Sequence, residues 1–338
     1  MSGSQSQARP RAGFFCSARW RAATAGACIA LLSGCAQLVP QTFALRTEWP
    51  QGVARTVEWK DVPFFPQEDY QCGPAALATV LVYSGVKVTP EALAKDVYLP
   101  SRQGSLQLEM LAAPRRYGRV SYRLKANYAD VLREVAAGNP VVILQDVNPF
   151  FTQWHYAVIN GFDYPSGTVY MRSGTKERLE MPFTALEREW MKSDYWAMVV
   201  TPPDRIPVTA TEDQWVNAVV AMARSAPGQA VTAGYAAALA RWPGNLPAAI
   251  GLANQYHSGG AYALAVNVLR RAQQRHPDSV IVVNNLAQAL SDQGKNAEAL
   301  ALIDKAADSQ SPFAAEVRAT RQMIQERIAQ QPKTAVRR

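Results

Sequence analysis

The feature that most constrains this chain is a 34-residue period in its C-terminal part. Pro243 and Pro277, Leu252 and Leu286, Gly260 and Gly294, Ala265 and Ala299, and Ala272 and Ala306 are each 34 residues apart. Small residues recur where two helices would touch, because Ala and Gly let backbones approach closely. Self-similarity at this spacing predicts one helical hairpin per repeat, with neighbouring hairpins stacked to bury a shared core. Repeats are expected over 211–330, with 212–242 as a degenerate first unit and 313–330 as a capping helix. A generic Ala-rich bundle is the alternative. Such stacks offer binding surface but no chemistry of their own, so any reaction must reside upstream.

Composition limits what that reaction can be. The chain has 338 residues and a formal charge of +8, but Arg9, Arg11, Arg19 and Arg21 lie near the start, and without them the charge is only +4. No basic cluster interleaved with aromatics follows, so a nucleic-acid partner is not expected. There is no C-x-x-C and only three histidines, His155, His257 and His276, so neither a metal nor a cofactor is expected. No G-x-x-x-x-G-K-[ST] loop is present, which argues against ATP as a ligand.

The first 34 residues read as an export signal. Four arginines precede a short apolar run, Ala22 to Leu32, too short to span a bilayer. Leu32-Ser33-Gly34-Cys35 then resembles a bacterial lipobox. That resemblance implies cleavage before Cys35, acylation of its thiol, and a lipid-anchored tether over 35–60 leading into a first strand. An ordinary signal peptide followed by an incidental cysteine is the alternative. Ala36 in place of Asp implies, by similarity to Gram-negative lipoproteins, an outer-membrane address facing the periplasm. Cys16 and Cys28 would leave with the signal, making Cys72 the one free thiol of the mature chain. An unpaired cysteine in an oxidising compartment calls for a reason.

Residues 61–201 read as an α+β domain. A helix is expected from Cys72 to Ser84, stopped by Gly85. Thr89-Pro90-Glu91 starts a second, and a third begins near Ser105. Val120–Lys125 alternates like a strand, 127–137 is helical, and 140–147 reads as a buried strand. His155–Phe162 and Thr168–Arg172 flank a Tyr-Pro-Ser-Gly turn and predict a hairpin. Residues 202–210 read as a linker.

The chemistry centres on Gln67-Glu68-Asp69-Tyr70-Gln71-Cys72-Gly73-Pro74-Ala75-Ala76-Leu77. A cysteine in the first turn of a helix faces the positive end of the dipole, which is expected to lower its pKa. Gly73 would let a substrate backbone come close. A thiol nucleophile needs a base, and His155 is the only histidine before position 257. It sits in a strand whose alternation puts His155, Ala157 and Ile159 on one face. Gln67 is the candidate oxyanion donor, with Gln71 as the alternative. Packing roles for both Cys72 and His155 remain the alternative reading of each residue alone.

Gln67, the Cys-Gly-Pro-Ala-Ala-Leu run and the later His155-Tyr156-Ala157-Val158 strand resemble the bacteriocin-processing cysteine peptidase family usually fused to export ATPases. The resemblance implies a papain-like fold over about 60–200, cleavage after a double glycine, Cys72 as nucleophile and His155 as base and acid. The repeats likewise resemble tetratricopeptide repeats. The chain departs from the peptidase pattern in three ways. Gln67 lies five rather than six residues before Cys72. The carboxylate that orients the family's histidine is replaced at the matching position by Ser173, with Asp163 as the candidate substitute. No transporter follows. The expectation is a membrane-anchored cysteine peptidase acting on an exported or envelope peptide, with residues 211–330 binding substrate or a protein partner. A peptidase-like binding module with little or no turnover is the alternative. Acyl or peptidyl transfer through the same pair is a third reading.

Overall fold

The computed structural model describes residues 39–67, 71–102, 104–306 and 311–330. The signal segment and Cys35 lie outside the described residues. The N-terminal unit is an antiparallel sheet with helices on both faces. In chain order its elements are α1 (Pro40–Thr47), β1 (Thr56–Glu58), α2 (Cys72–Tyr83), α3 (Pro90–Val97), α4 (Gln107–Arg116), β2 (Val120–Arg123), α5 (Tyr128–Ala136), β3 (Val141–Asp146), β4 (Trp154–Asp163), β5 (Thr168–Ser173), β6 (Lys176–Pro182), α6 (Phe183–Trp190) and β7 (Ala197–Thr201). The strands run β2-β7-β3-β4-β5-β6, and β1 pairs with the far end of β4. There it continues beyond the last β3–β4 pair, Val141↔Ile159.

Helix α2 starts with a proline in its first turn, followed by the strong helix formers Ala75, Ala76, Leu77 and Ala78. It ends against Gly85, which takes φ +90°. Gly73 through Leu81 are all buried, and a helix apolar on every side must be packed on every side. It lies between the sheet, through Tyr156, Val158, Met198 and Val200, and helices α3 and α4, through Leu93, Val97 and Met110. Thr89 caps α3, its Oγ1 accepting from the Ala92 N–H at 3.4 Å. On the opposite face, Ile143, Ala157 and Ile159 pack with α5 and α6, where the Tyr128 ring meets Phe183 and Trp190 at 5.5 and 5.6 Å.

The segment expected to be a tether is largely part of this fold. The carboxylate of buried Glu187 on α6 accepts the Gln41 and Thr42 N–H groups at 2.8 and 2.6 Å. This satisfies the exposed donors and positive end of α1 from a distant helix. Leu45 is buried, and Trp49 packs on Phe162 and Tyr164.

The expected linker is also anchored. Buried Glu134 accepts the Thr209 N–H at 2.7 Å, the Thr209 hydroxyl at 2.6 Å and the Asn139 amide at 2.7 Å. Helices α7 (Glu212–Met222), α8 (Gly228–Arg241), α9 (Leu246–Ser258), α10 (Tyr262–Arg275), α11 (Val280–Asp292), α12 (Asn296–Ile303) and α13 (Ala314–Gln330) follow. Gly260 and Gly294 turn α9 into α10 and α11 into α12 at φ +74° and +86°. Ala265 and Ala299 are fully buried at equivalent contacts. Helix α7 lies on β2, with the Tyr122 hydroxyl donating to Gln214 at 2.6 Å. One apolar core runs from Leu132 and Ile143 through Trp215 and Val219 to Tyr235 and Leu252.

Candidate active site

Cys72 opens α2, so its side chain sits where the helix N–H groups are unpaired. The backbone N–H groups of Tyr156, Gly73 and Cys72 itself point at the sulfur. Pairing between β4 and β5 begins only at Val158, so the start of β4 makes no backbone ladder with β5. The thiol reaches the backbone there, one residue from His155. His155 Nε2 lies 2.9 Å from Ser173 Oγ, and its Nδ1 has no hydrogen-bond partner among the described residues. A ring held through Nε2 keeps Nδ1 available to a proton donor such as the thiol.

Burial sets the charge state. It pushes the Cys72 thiol up, with the three N–H groups only partly offsetting it. It also pulls the His155 imidazole down to about 4. The expected helix-terminal lowering of the thiol is therefore outweighed by desolvation. Burial therefore holds the thiol and the imidazole each in its neutral form, and forming a thiolate–imidazolium pair would require transfer of the thiol proton to the ring.

Gln67 approaches from the chain before α2. Its N–H donates to the Gly174 carbonyl at 3.2 Å, next to Ser173. Its Oε1 is buried without a partner, so the carboxamide has unused hydrogen-bonding capacity. Gln71 is the exposed N-cap of α2 and makes no side-chain cap. Asp163 is not brought to the site. It accepts from Thr56 Oγ1 at 2.7 Å and the Ser166 N–H at 3.2 Å. It also lies at the other end of β4 from His155, about 26 Å away at ~3.3 Å per extended residue. Gly73 has a different role from the one expected. A Cβ there would lie 2.2 Å from Ser105 Oγ, so the glycine admits Ser105, not a substrate backbone.

Residues 59–198 match the Peptidase_C39 like family. Residues 256–324 match a tetratricopeptide repeat. The C39-like domain has the α+β papain-like architecture, followed by the helical repeats. Among solved structures, a protein from Bacillus anthracis assigned as a C39-like peptidase aligns at 20% identity with a TM-score of 0.38, covering 44% of this chain and 98% of its own. A point mutant of MamA aligns at 22% identity with a TM-score of 0.31, covering 36% of this chain and 69% of its own. No curated protein matches the chain.

Two residues of the C39-like domain near Cys72 and His155 escaped the sequence reading. Ser105 Oγ is buried without a partner, while its carbonyl accepts from the Tyr156 hydroxyl at 3.3 Å. Gln145 is 1% exposed, lies directly opposite His155 in the β3–β4 register and has an unpartnered Oε1. Unsatisfied buried polar atoms are scarce in folded proteins, and Gln67, Ser105 and Gln145 bring three of them to one end of the sheet. The other two histidines have structural partners: His257 binds Asp292 at 2.6 Å and His276 the Gly244 carbonyl at 2.8 Å. In the repeats, a groove of about 450 Å³ lies between α8, α9 and α10, with Leu239, Val268, Arg271 and Arg275 in its lining.

Proposed function

We propose that the chain is a cysteine peptidase of the cell envelope, anchored through Cys35, that hydrolyses a peptide bond in an exported or envelope peptide. The observation that carries this reading is the Cys72 thiol at a helix N-terminus, held to the backbone N–H of Tyr156, the residue that follows a histidine whose Nε2 is already engaged. His155 Nδ1 removes the thiol proton as sulfur attacks the scissile carbonyl, then returns it to the leaving amine. The Cys72 N–H and the Gln67 amide are suited to stabilise the oxyanion. Water, deprotonated by His155, releases the acyl group from sulfur. The repeats hold the substrate or a partner protein. The lipobox and Ala36 support an outer-membrane, periplasm-facing location.

One observation favours a second reading, a binding module with little turnover. Ser173 stands where the related peptidases carry a carboxylate, and a hydroxyl supports an imidazolium less well than an anion does.

Alkylation of Cys72 by iodoacetamide from pH 4 to 9 separates the two readings. In a form starting at residue 36, Cys72 is the only thiol. The peptidase reading expects a His155-dependent rate plateau below the free-thiol pKa of about 8.5, absent in His155→Ala. A single limb with an ordinary thiol pKa, indifferent to His155, overturns the dyad and leaves the binding module.

A further inference from the structure

His155 lies between two side chains on one face of the sheet. Ser173, on the β5 side, meets Nε2 at 2.9 Å. Gln145, on the β3 side, is its directly paired neighbour, and such pairs hold their Cβ atoms about 4.5–5.5 Å apart on the same face. Gln145 is 1% exposed, and its Oε1 has no partner. A buried carbonyl oxygen left unpaired costs stability, and Ile143, two residues earlier on the same face, shows that an apolar side chain suits this layer. The glutamine therefore needs a reason beyond packing, and the neighbour able to use a negative dipole is the imidazole.

We propose that Gln145 is a positioning residue that supports the protonated form of His155, its carboxamide oxygen supplying part of what a carboxylate at position 173 would supply. The inference rests on the cysteine-peptidase reading. In the step it assists, the S–H bond of Cys72 breaks and an N–H bond forms at His155 Nδ1. The positive ring then has the thiolate before it, Ser173 Oγ at Nε2 and the Gln145 oxygen beside it. Among the described residues, the titratable groups at this end of the sheet are Cys72 from α2, Glu109 from α4, Tyr156 of β4, Asp146 of β3, and Glu189 and Lys192 from α6 and the turn after it. Lys192 engages Asp146 at 3.2 Å, and a change at position 145 leaves all of these groups in place.

The test is the pH–rate profile for alkylation of Cys72 in the full-length chain, read on the Cys72 peptide by mass spectrometry. Wild type is compared with Gln145→Met, Gln145→Glu and His155→Ala. Between the two pKa values, the plateau height reports the fraction of thiolate–imidazolium. Gln145→Met removes the acceptor at nearly constant shape and is expected to lower the plateau about tenfold, the scale of one hydrogen bond to a charged group. Gln145→Glu is expected to raise the plateau and move the acid limb to higher pH. The alkaline limb, where the imidazole is neutral, stays in place in Gln145→Met, which adds no charge.

Opposite shifts in the two variants support the proposal. Plateaus equal to wild type in either folded variant, or shifts in the same direction, overturn it and leave Gln145 as packing. A wild-type profile indifferent to His155→Ala overturns the peptidase reading itself, and the proposal with it. A variant that does not fold leaves the other to decide.

Discussion

Replacing His155 with glutamine should make the protein less sensitive to acid. The imidazole titrates at about 4 in the folded chain because burial penalises its charged form, against about 6.5 when unfolded. Between those two values the unfolded chain binds the proton and the folded chain does not. Stability therefore falls as pH drops through 6.5 and levels off below about 4. The full gap is worth about 3 kcal/mol at ~1.4 kcal/mol per pH unit. At pH 4.5 the loss from this one group is about 2.5 kcal/mol. Glutamine keeps a donor for Ser173 but does not titrate. Urea titrations at pH 7.0 and 4.5 should show wild type losing about 2.5 kcal/mol more than His155→Gln, because all other acid-sensitive groups are common to both proteins. Equal losses would refute the reasoning, because they would mean that the folded chain binds this proton as readily as the unfolded chain does.

Other outcomes follow from the same structure. Ser173→Asp places an anion at His155 Nε2 and should raise the imidazole from about 4 toward its ordinary value, seen as an acid limb of Cys72 alkylation moved to higher pH. Gly73→Ala puts a methyl 2.2 Å from Ser105 Oγ. It should cost about 1–3 kcal/mol by overpacking in thermal melts, and Ser105→Gly in the same chain should recover most of the loss. Glu134→Ala strands the Thr209 and Asn139 donors and should cost about 3 kcal/mol, measured by urea titration. Trp215→Ala should cost about 3–5 kcal/mol and speed hydrogen exchange in β2 and α5 as well as in α7. Unchanged exchange in the sheet would show that the shared core does not couple them.

Where one residue type forces a local geometry, the sequence was readable. Helix α2 is legible from Pro74 and Gly85, and α3 from Thr89 and Pro90. The repeats are legible from small residues recurring with Gly260 and Gly294. Other elements carry no such mark. Strand β6 reads Lys-Glu-Arg-Leu-Glu-Met-Pro and lies at the sheet edge, where exposed polar side chains hide the strand pattern. Helix α1 looks like a tether because what fixes it, Glu187, comes from 145 and 146 residues away. Cys72 and His155 stand out by rarity and order. Gln145 and Ser105 do not, because their significance lies in being buried without partners, a property that exists only once the strands are paired. The thiol's direction of titration was misjudged for the same reason: a helix terminus is visible in sequence, whereas the depth at which it is buried is not.

The core that passes through Trp215 bears on how this chain can be divided. Sequence character changes near residue 210, and a cut there would look clean. It would instead leave the sheet unit without one wall and give the first helical hairpin a bare apolar flank. The peptidase-like unit and its first repeats share one core and are expected to melt together. A truncation series should find its smallest soluble piece well beyond the point where the two patterns meet.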